Sequence, residues 1–120
     1  MEIKNIETAD CRVLSTSIST NEFRIKFESI YDISIKQFIK DVDLVIYDWC
    51  SFEAKLYITN APGESFVGIN LTTDKLEFFS LIQNIEINED DLLLQGFSRE
   101  SGNWLEYRFK SGGVYFQTAC

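Results

Sequence analysis

The chain has 120 residues, with 19 acidic and 11 basic side chains, no histidine and a formal net charge of −8. This length corresponds to one domain, residues 1–120, and the 45% hydrophobic fraction is too high for a disordered acidic tail. Without histidine the chain lacks the commonest general base and metal ligand, which excludes Ser-His and Cys-His nucleophile arrangements. The negative charge repels phosphate backbones, so nucleic-acid binding is disfavoured.

The sequence predicts a cytoplasmic protein without a membrane span. No run approaches the ~18 consecutive apolar residues that a spanning helix needs, and residues 1–10 lack the basic and then apolar pattern of a signal peptide. Cys11, Cys50 and Cys120 are odd in number and have no C-x-x-C spacing, so reduced thiols are expected and a metal site is not. Cys11 and Cys50 are predicted to be buried as small apolar side chains. No cofactor is predicted.

Period-two alternation of apolar and polar residues predicts most of the secondary structure. The clearest case is residues 50–58, where Phe52, Ala54 and Leu56 alternate with charged neighbours. Strands are predicted on this basis at 11–18, 23–28, 44–47, 50–58, 65–71, 85–87, 92–97, 105–110 and 114–117.

Two segments depart from this alternation. Residues 34–42 have apolar side chains at helical spacing, with Ser34 as a candidate cap, but they also alternate in part, so helix and strand both remain open. Asp74 and Glu77 have the spacing of a capping box ahead of Leu76, Phe79 and Ile82, which predicts a helix over 75–83. The predicted fold class is therefore α+β, a mostly antiparallel β-sheet with one or two short helices.

Acidic residues concentrate in two short stretches. The first contains Asp41, Asp43 and Asp48, and the second contains Glu89, Asp90 and Asp91. Trp49 follows Asp48 directly, and tryptophan is enriched among residues that dominate binding energies at protein interfaces. These seven residues are the predicted partner-binding residues, because an acidic surface speeds encounter with a basic protein. Solvated turns that support solubility are the alternative.

Signals for catalysis or nucleotide binding are weak. A chain with 19 carboxylates contains many accidental acidic pairs, so none identifies a glycosidase-type site. The stretch 63–68 (GESFVG) lacks the Gly-Lys-Ser/Thr ending of a phosphate-binding loop. Residues 104–110 (WLEYRFK) interleave aromatic and basic side chains as single-strand binders do, but the net charge opposes that function. The chain is predicted not to be an enzyme.

The size, acidity and aromatic-rich pattern give the chain a resemblance to the small immunity proteins of bacterial polymorphic and contact-dependent growth-inhibition toxin systems. The stretches that carry this resemblance, about a quarter of the chain, are 44–52 (LVIYDWCSF), 76–82 (LEFFSLI) and 94–107 (LQGFSRESGNWLEY). The resemblance implies a cytoplasmic inhibitor that binds one toxin domain, often a basic nuclease, and blocks its active site. Carboxylates could then occupy positions that substrate phosphates would take.

A second function remains open from the sequence. The chain could be a structural or regulatory interaction domain that self-associates through its apolar strands. Ionic strength separates the two functions, because association through charged patches weakens with salt and apolar association does not. The sequence leaves the oligomeric state and the identity of the partner undetermined.

Overall fold

The computed structural model describes residues 6–7, 11–58 and 65–118, which form ten strands and one turn of 3-10 helix. Every strand pairing is antiparallel. The 3-10 turn spans Thr73–Lys75, between β6 and β7. The strands are β1 (Ile6–Glu7), β2 (Cys11–Ile18), β3 (Glu22–Asp32), β4 (Gln37–Tyr47), β5 (Ser51–Ile58), β6 (Val67–Leu71), β7 (Phe79–Asn88), β8 (Asp91–Ser98), β9 (Trp104–Lys110) and β10 (Gly113–Thr118).

The predicted α+β class is wrong, because the described residues contain no α-helix. The helix predicted over 75–83 is instead the end of the 3-10 turn followed by the start of β7. Register shifts interrupt β7 between Phe79 and Leu81 and between Ile82 and Asn84. Each bulge moves the inward face along by one residue, so Phe79 and Ile82 are both buried at a spacing of three that resembles a helix.

The open segment 34–42 belongs to a β-hairpin. β3 pairs with β4, the pair next to the turn is Asp32 with Gln37, and residues 33–36 form the turn between the strands. Ser34 does not cap a helix. Its amide and hydroxyl both donate to the Asp32 carboxylate, at 2.9 and 2.6 Å, and these bonds hold the pKa of Asp32 below its ordinary value. Lys36 completes the turn with a φ of 54°.

The strands follow the order β10-β4-β3-β2-β7-β8-β9-β5-β6, with β1 paired to β3. β2 connects the two halves of this sheet, since its later residues pair with β3 while Cys11 and Arg12 pair with β7. We call β10-β4-β3 the first half-sheet and β7-β8-β9-β5-β6 the second. Buried residues of both half-sheets belong to one hydrophobic cluster, so the sheet folds over on its own apolar face.

An aromatic cluster joins the half-sheets at the centre of this core. Phe23, on β3, lies 5.4 Å from the rings of Phe52, Tyr107 and Phe109, which belong to the second half-sheet. All three contacts have tilted or edge-to-face geometry, which aromatic pairs prefer. This cluster therefore holds the two half-sheets together.

Tyr107 makes the stability of the fold sensitive to alkaline pH. Its side chain is fully buried and its hydroxyl donates to the backbone carbonyl of Glu77. Burial, with the carboxylates of Glu100 and Glu77, raises the pKa of Tyr107 far above its ordinary 10.0. Above about pH 10 the unfolded chain therefore loses a proton that the folded chain keeps, and stability falls by up to about 1.4 kcal/mol per pH unit.

Replacing Tyr107 by phenylalanine tests this dependence. The variant is expected to be less stable near pH 8 by about 1 kcal/mol, because the Glu77 carbonyl loses its donor. Its stability should then fall less steeply above pH 10 than that of the wild type. Urea unfolding at pH 8, 10 and 11 measures both effects, and parallel pH slopes for the two proteins would contradict the explanation.

The two described cysteines differ in environment. Cys11 is buried in the core, as predicted, whereas Cys50 is exposed, so its predicted burial is wrong. Cys50 lies in the connection between β4 and β5 and not inside a strand, which places its side chain outside the alternation that the sequence suggested. Cys120 lies outside the described residues. In the described part of the chain, no helix is long and apolar enough to cross a membrane.

Candidate partner-binding surface

Two acidic segments that are far apart in sequence meet at one end of the second half-sheet. β9 ends at Lys110, which pairs with Asp91 of β8 on one side and with Ser51 of β5 on the other. Two strand spacings, roughly 10 Å, therefore separate Asp91 from Ser51. The backbone amide of Cys50 donates to the Lys110 carbonyl at 2.7 Å, and that of Ser111 donates to the Asp90 carbonyl at 2.9 Å.

We call the carboxylates of this end the acidic rim, and it comprises Asp48, Glu89, Asp90 and Asp91. All four residues are exposed, and none of them takes part in the ion pairs found among the described residues. Glu89 and Asp90 form the two-residue connection of the β7–β8 hairpin, and Asp48 begins the connection from β4 to β5. Short turns thus hold the rim on rigid strands while leaving its charges facing water.

The other two predicted aspartates lie away from the rim. Asp41 is exposed on β4, seven residues before Asp48, which corresponds to roughly 20 Å of extended chain. Asp43 is largely buried and accepts a hydrogen bond from Arg24 at 2.9 Å. This bond and those from Arg24 to Glu22 raise the pKa of the guanidinium. The charge of Asp43 is therefore already neutralised within the chain. Of the predicted acidic residues, four lie in the rim, whereas Asp41 and Asp43 lie away from it.

Trp49 is closely associated with the core. Its ring lies 5.5 Å from that of Phe109 and 6.1 Å from that of Phe23, both edge-on. The side chain is half-buried and packs against the hydrophobic cluster. Trp49 thus anchors the β4–β5 connection and, through it, the position of Asp48. Only its exposed part could contribute to a partner contact.

A groove with charges of both signs extends from the rim across the outer face of the second half-sheet. It has a volume of ≈ 360 Å³ and lies over β5, β9 and the start of β8. Asp91 and Lys110 lie at its rim end, and Tyr57 and Glu106 lie at the other. Its lining residues are Glu53, Lys55, Tyr57, Asp91, Glu106, Arg108 and Lys110.

This groove was not predicted, although the amino-acid sequence contains a signal for it. Glu53 pairs with Arg108, and Lys55 pairs with Glu106, across the β5–β9 ladder. Opposite charges at directly facing positions stabilise antiparallel strands. The pattern Glu-x-Lys in one strand and Glu-x-Arg in the other is complementary when read antiparallel, and it could have indicated that these two segments are neighbours.

No three histidine, cysteine, aspartate or glutamate residues in the described ranges form a cluster that could hold a metal ion. Comparison of the chain with protein-family models, with curated proteins and with solved structures gave no match.

Proposed function

We propose that this chain is a non-enzymatic protein-binding domain that neutralises a basic partner, acting as a cytoplasmic immunity protein against a bacterial toxin domain. The observation that supports this proposal is the convergence of Asp48 with Glu89, Asp90 and Asp91 in one exposed rim. These four exposed carboxylates take part in no ion pair found among the described residues, and on a domain of net charge −8 they produce a field that accelerates encounter with a basic protein. Carboxylates also form charge-assisted bonds with the arginines and lysines that a nuclease uses for phosphates.

The test is capture of a partner by three matched forms of the tagged protein at low and high salt. The rim variant carries Asp48→Lys, Glu89→Lys and Asp90→Lys. The control variant carries Glu7→Lys, Glu28→Lys and Asp74→Lys, which change the net charge equally at exposed positions outside the rim. Asp41→Lys, measured alone, tests the predicted residue that lies away from the rim.

We expect the wild type and the control variant to recover a stoichiometric basic protein at low salt. The rim variant should lose it, with an association rate at least about tenfold lower, because its field at the contact is reversed. High salt should weaken capture by the wild type. If the rim variant retains the partner with unchanged association kinetics, the rim is not the binding surface.

A second candidate function, self-association, is favoured by a different surface. The β3–β4 turn exposes Ile33, Ile35 and Phe38, the last with 68% of its surface in water. Exposed apolar patches are uncommon on monomeric proteins. A domain that associates through this turn should have an apparent molecular mass that rises with protein concentration, also at high salt. Phe38→Ser should abolish this rise. Recovery of only the protein itself in the capture experiment would favour this function.

A further inference from the structure

An aromatic pocket lies at the end of the groove opposite the acidic rim. It has a volume of ≈ 600 Å³, and its described lining includes Tyr57, Phe66, Phe97, Trp104 and Glu106. Phe97 and Trp104 pair across β8 and β9, with their rings edge-to-face at 5.3 Å. Phe66 is 65% exposed. The pocket thus presents several aromatic rings and one carboxylate.

Glu106 is held in this pocket by uncharged donors. Gln95 donates its amide to Oε1 at 2.7 Å, the Trp104 indole N–H donates to the same oxygen at 3.4 Å, and the Tyr57 hydroxyl donates to Oε2 at 3.1 Å. A carboxylate offers about four acceptor positions, so at least one remains on Oε2. Burial and the Glu106 charge together raise the pKa of Tyr57, which keeps this donor protonated.

Glu106 takes part in none of the ion pairs found among the described residues, although Lys55 faces it across the β5–β9 ladder. Those ion pairs join Arg12 or Arg24 to Glu22, Glu28 and Asp43. A carboxylate fixed among aromatic rings, with a free acceptor position, is complementary to an organic cation. Aromatic faces attract cations, and the shielded carboxylate supplies a charge-assisted hydrogen bond.

We propose that the aromatic pocket binds an arginine side chain of a protein partner, with the guanidinium stacked on Trp104 and hydrogen-bonded to Glu106. Arginine fits better than lysine because its planar guanidinium is weakly hydrated and stacks on aromatic rings. A protein-borne arginine is favoured by the neighbouring strand β6, which ends the strand order with β5 as its one neighbour among the described strands. Its free edge can pair with the extended segment that carries the arginine.

The assignment rests on the proposed function only for the statement that the partner is a protein. Its test uses short peptides and needs no partner protein. A blocked Gly-Arg-Gly peptide is titrated into the protein while NMR follows the indole N–H of Trp104. The same peptide with citrulline in place of arginine is the matched ligand, since it keeps the shape and removes the charge. Tetramethylammonium is the probe for a small cationic ligand.

We expect saturable shifts with the arginine peptide and an affinity at least about tenfold higher than that of the citrulline peptide. Glu106→Gln should abolish this preference, because it removes the charge and keeps an acceptor oxygen. Asp74→Asn, an equal charge change at an exposed position on the 3-10 turn, should preserve it. Since the comparison of the two peptides uses the wild type, it does not depend on the folding of any variant.

Three results would overturn the assignment. These are equal affinities for the two peptides, no saturable shift with the arginine peptide, and tighter binding of tetramethylammonium than of that peptide. If any of them occurs while capture still depends on the rim, the pocket assignment fails and the proposed function stands. If the peptide binds as expected but rim reversal leaves capture unchanged, the proposed rim contact fails instead.

Discussion

Replacing Phe23 by alanine is expected to lower the free energy of unfolding by about 4 kcal/mol. Phe23 is 1% exposed, and it contacts Phe52, Tyr107 and Phe109 across the interior. Its removal leaves a cavity where the two half-sheets meet, and the rings around that cavity are fixed by their own strands. A loss of this size is a large part of the 5 to 15 kcal/mol that typically stabilises a domain.

Urea unfolding followed by circular dichroism measures the effect. Phe23→Leu keeps most of the volume and should cost less than about 1.5 kcal/mol. Phe38→Ala is the matched control, because Phe38 is 68% exposed and its one recorded ring contact is with Tyr31, at 5.0 Å. It should change stability by no more than about 0.5 kcal/mol. A similar small effect for Phe23→Ala would mean that the half-sheets are not held together through this cluster.

The sequence predicted strands well where the inward and outward faces alternate without interruption. β2 was predicted with its observed bounds, and β5 and β9 were located to within a residue or two. The prediction failed at β7, where bulges place Phe79 and Ile82 inward at a spacing of three. The carboxylate of Glu77, read as part of a helix cap, instead accepts hydrogen bonds from Ser98 and Ser101. A local periodicity cannot distinguish a bulged strand from a helix when the distant partners are unknown.

The candidate surface depended on pairing information that no local pattern contains. Both acidic stretches were evident as charge clusters, but their meeting requires β9 to lie between β5 and β8. The same strand order separates Asp43 from the rim and places Arg24 against Asp43. The aromatic pocket likewise combines Tyr57 with Trp104, which are 47 positions apart and face each other across the β5–β9 ladder. The acidic character of the surface could therefore be predicted from the sequence, whereas the arrangement of the rim and the pocket could not.

The rim and the aromatic pocket are placed so that one partner could reach both. The β8–β9 hairpin runs from the Asp91–Lys110 pair to the Phe97–Trp104 pair, a distance of roughly 20 Å. An interface of ordinary size spans this distance. The exposed rim would then contribute mainly to the rate of encounter, and the more shielded Glu106 would contribute to the lifetime of the complex. Rim variants should therefore respond more strongly to salt than Glu106 variants.

Replacing Gly96 by alanine is expected to cost about 3 kcal/mol of stability or more. Gly96 lies on β8 where the backbone of the bulged strand β7 comes unusually close. A Cβ at this position would overlap the carbonyl oxygen of Leu81 and would lie 2.9 Å from the Cα of Ile82. Both obstacles are backbone atoms, so a rotamer change cannot relieve the clash and β7 must move.

Gly68→Ala provides the matched control for this substitution. Gly68 also lies within a strand, but its added Cβ would meet side-chain atoms of Lys55 and Tyr57, and the Lys55 chain can rotate away. This variant should stay within about 0.5 kcal/mol of the wild type. Urea unfolding compares the two, and hydrogen exchange should show faster opening of the β7 amides in Gly96→Ala alone. Because the β7–β8 hairpin carries Glu89 and Asp90, its loosening should also weaken partner capture without changing any charge. Unchanged hydrogen exchange of the β7 amides in Gly96→Ala would contradict the close approach of the β7 backbone to Gly96.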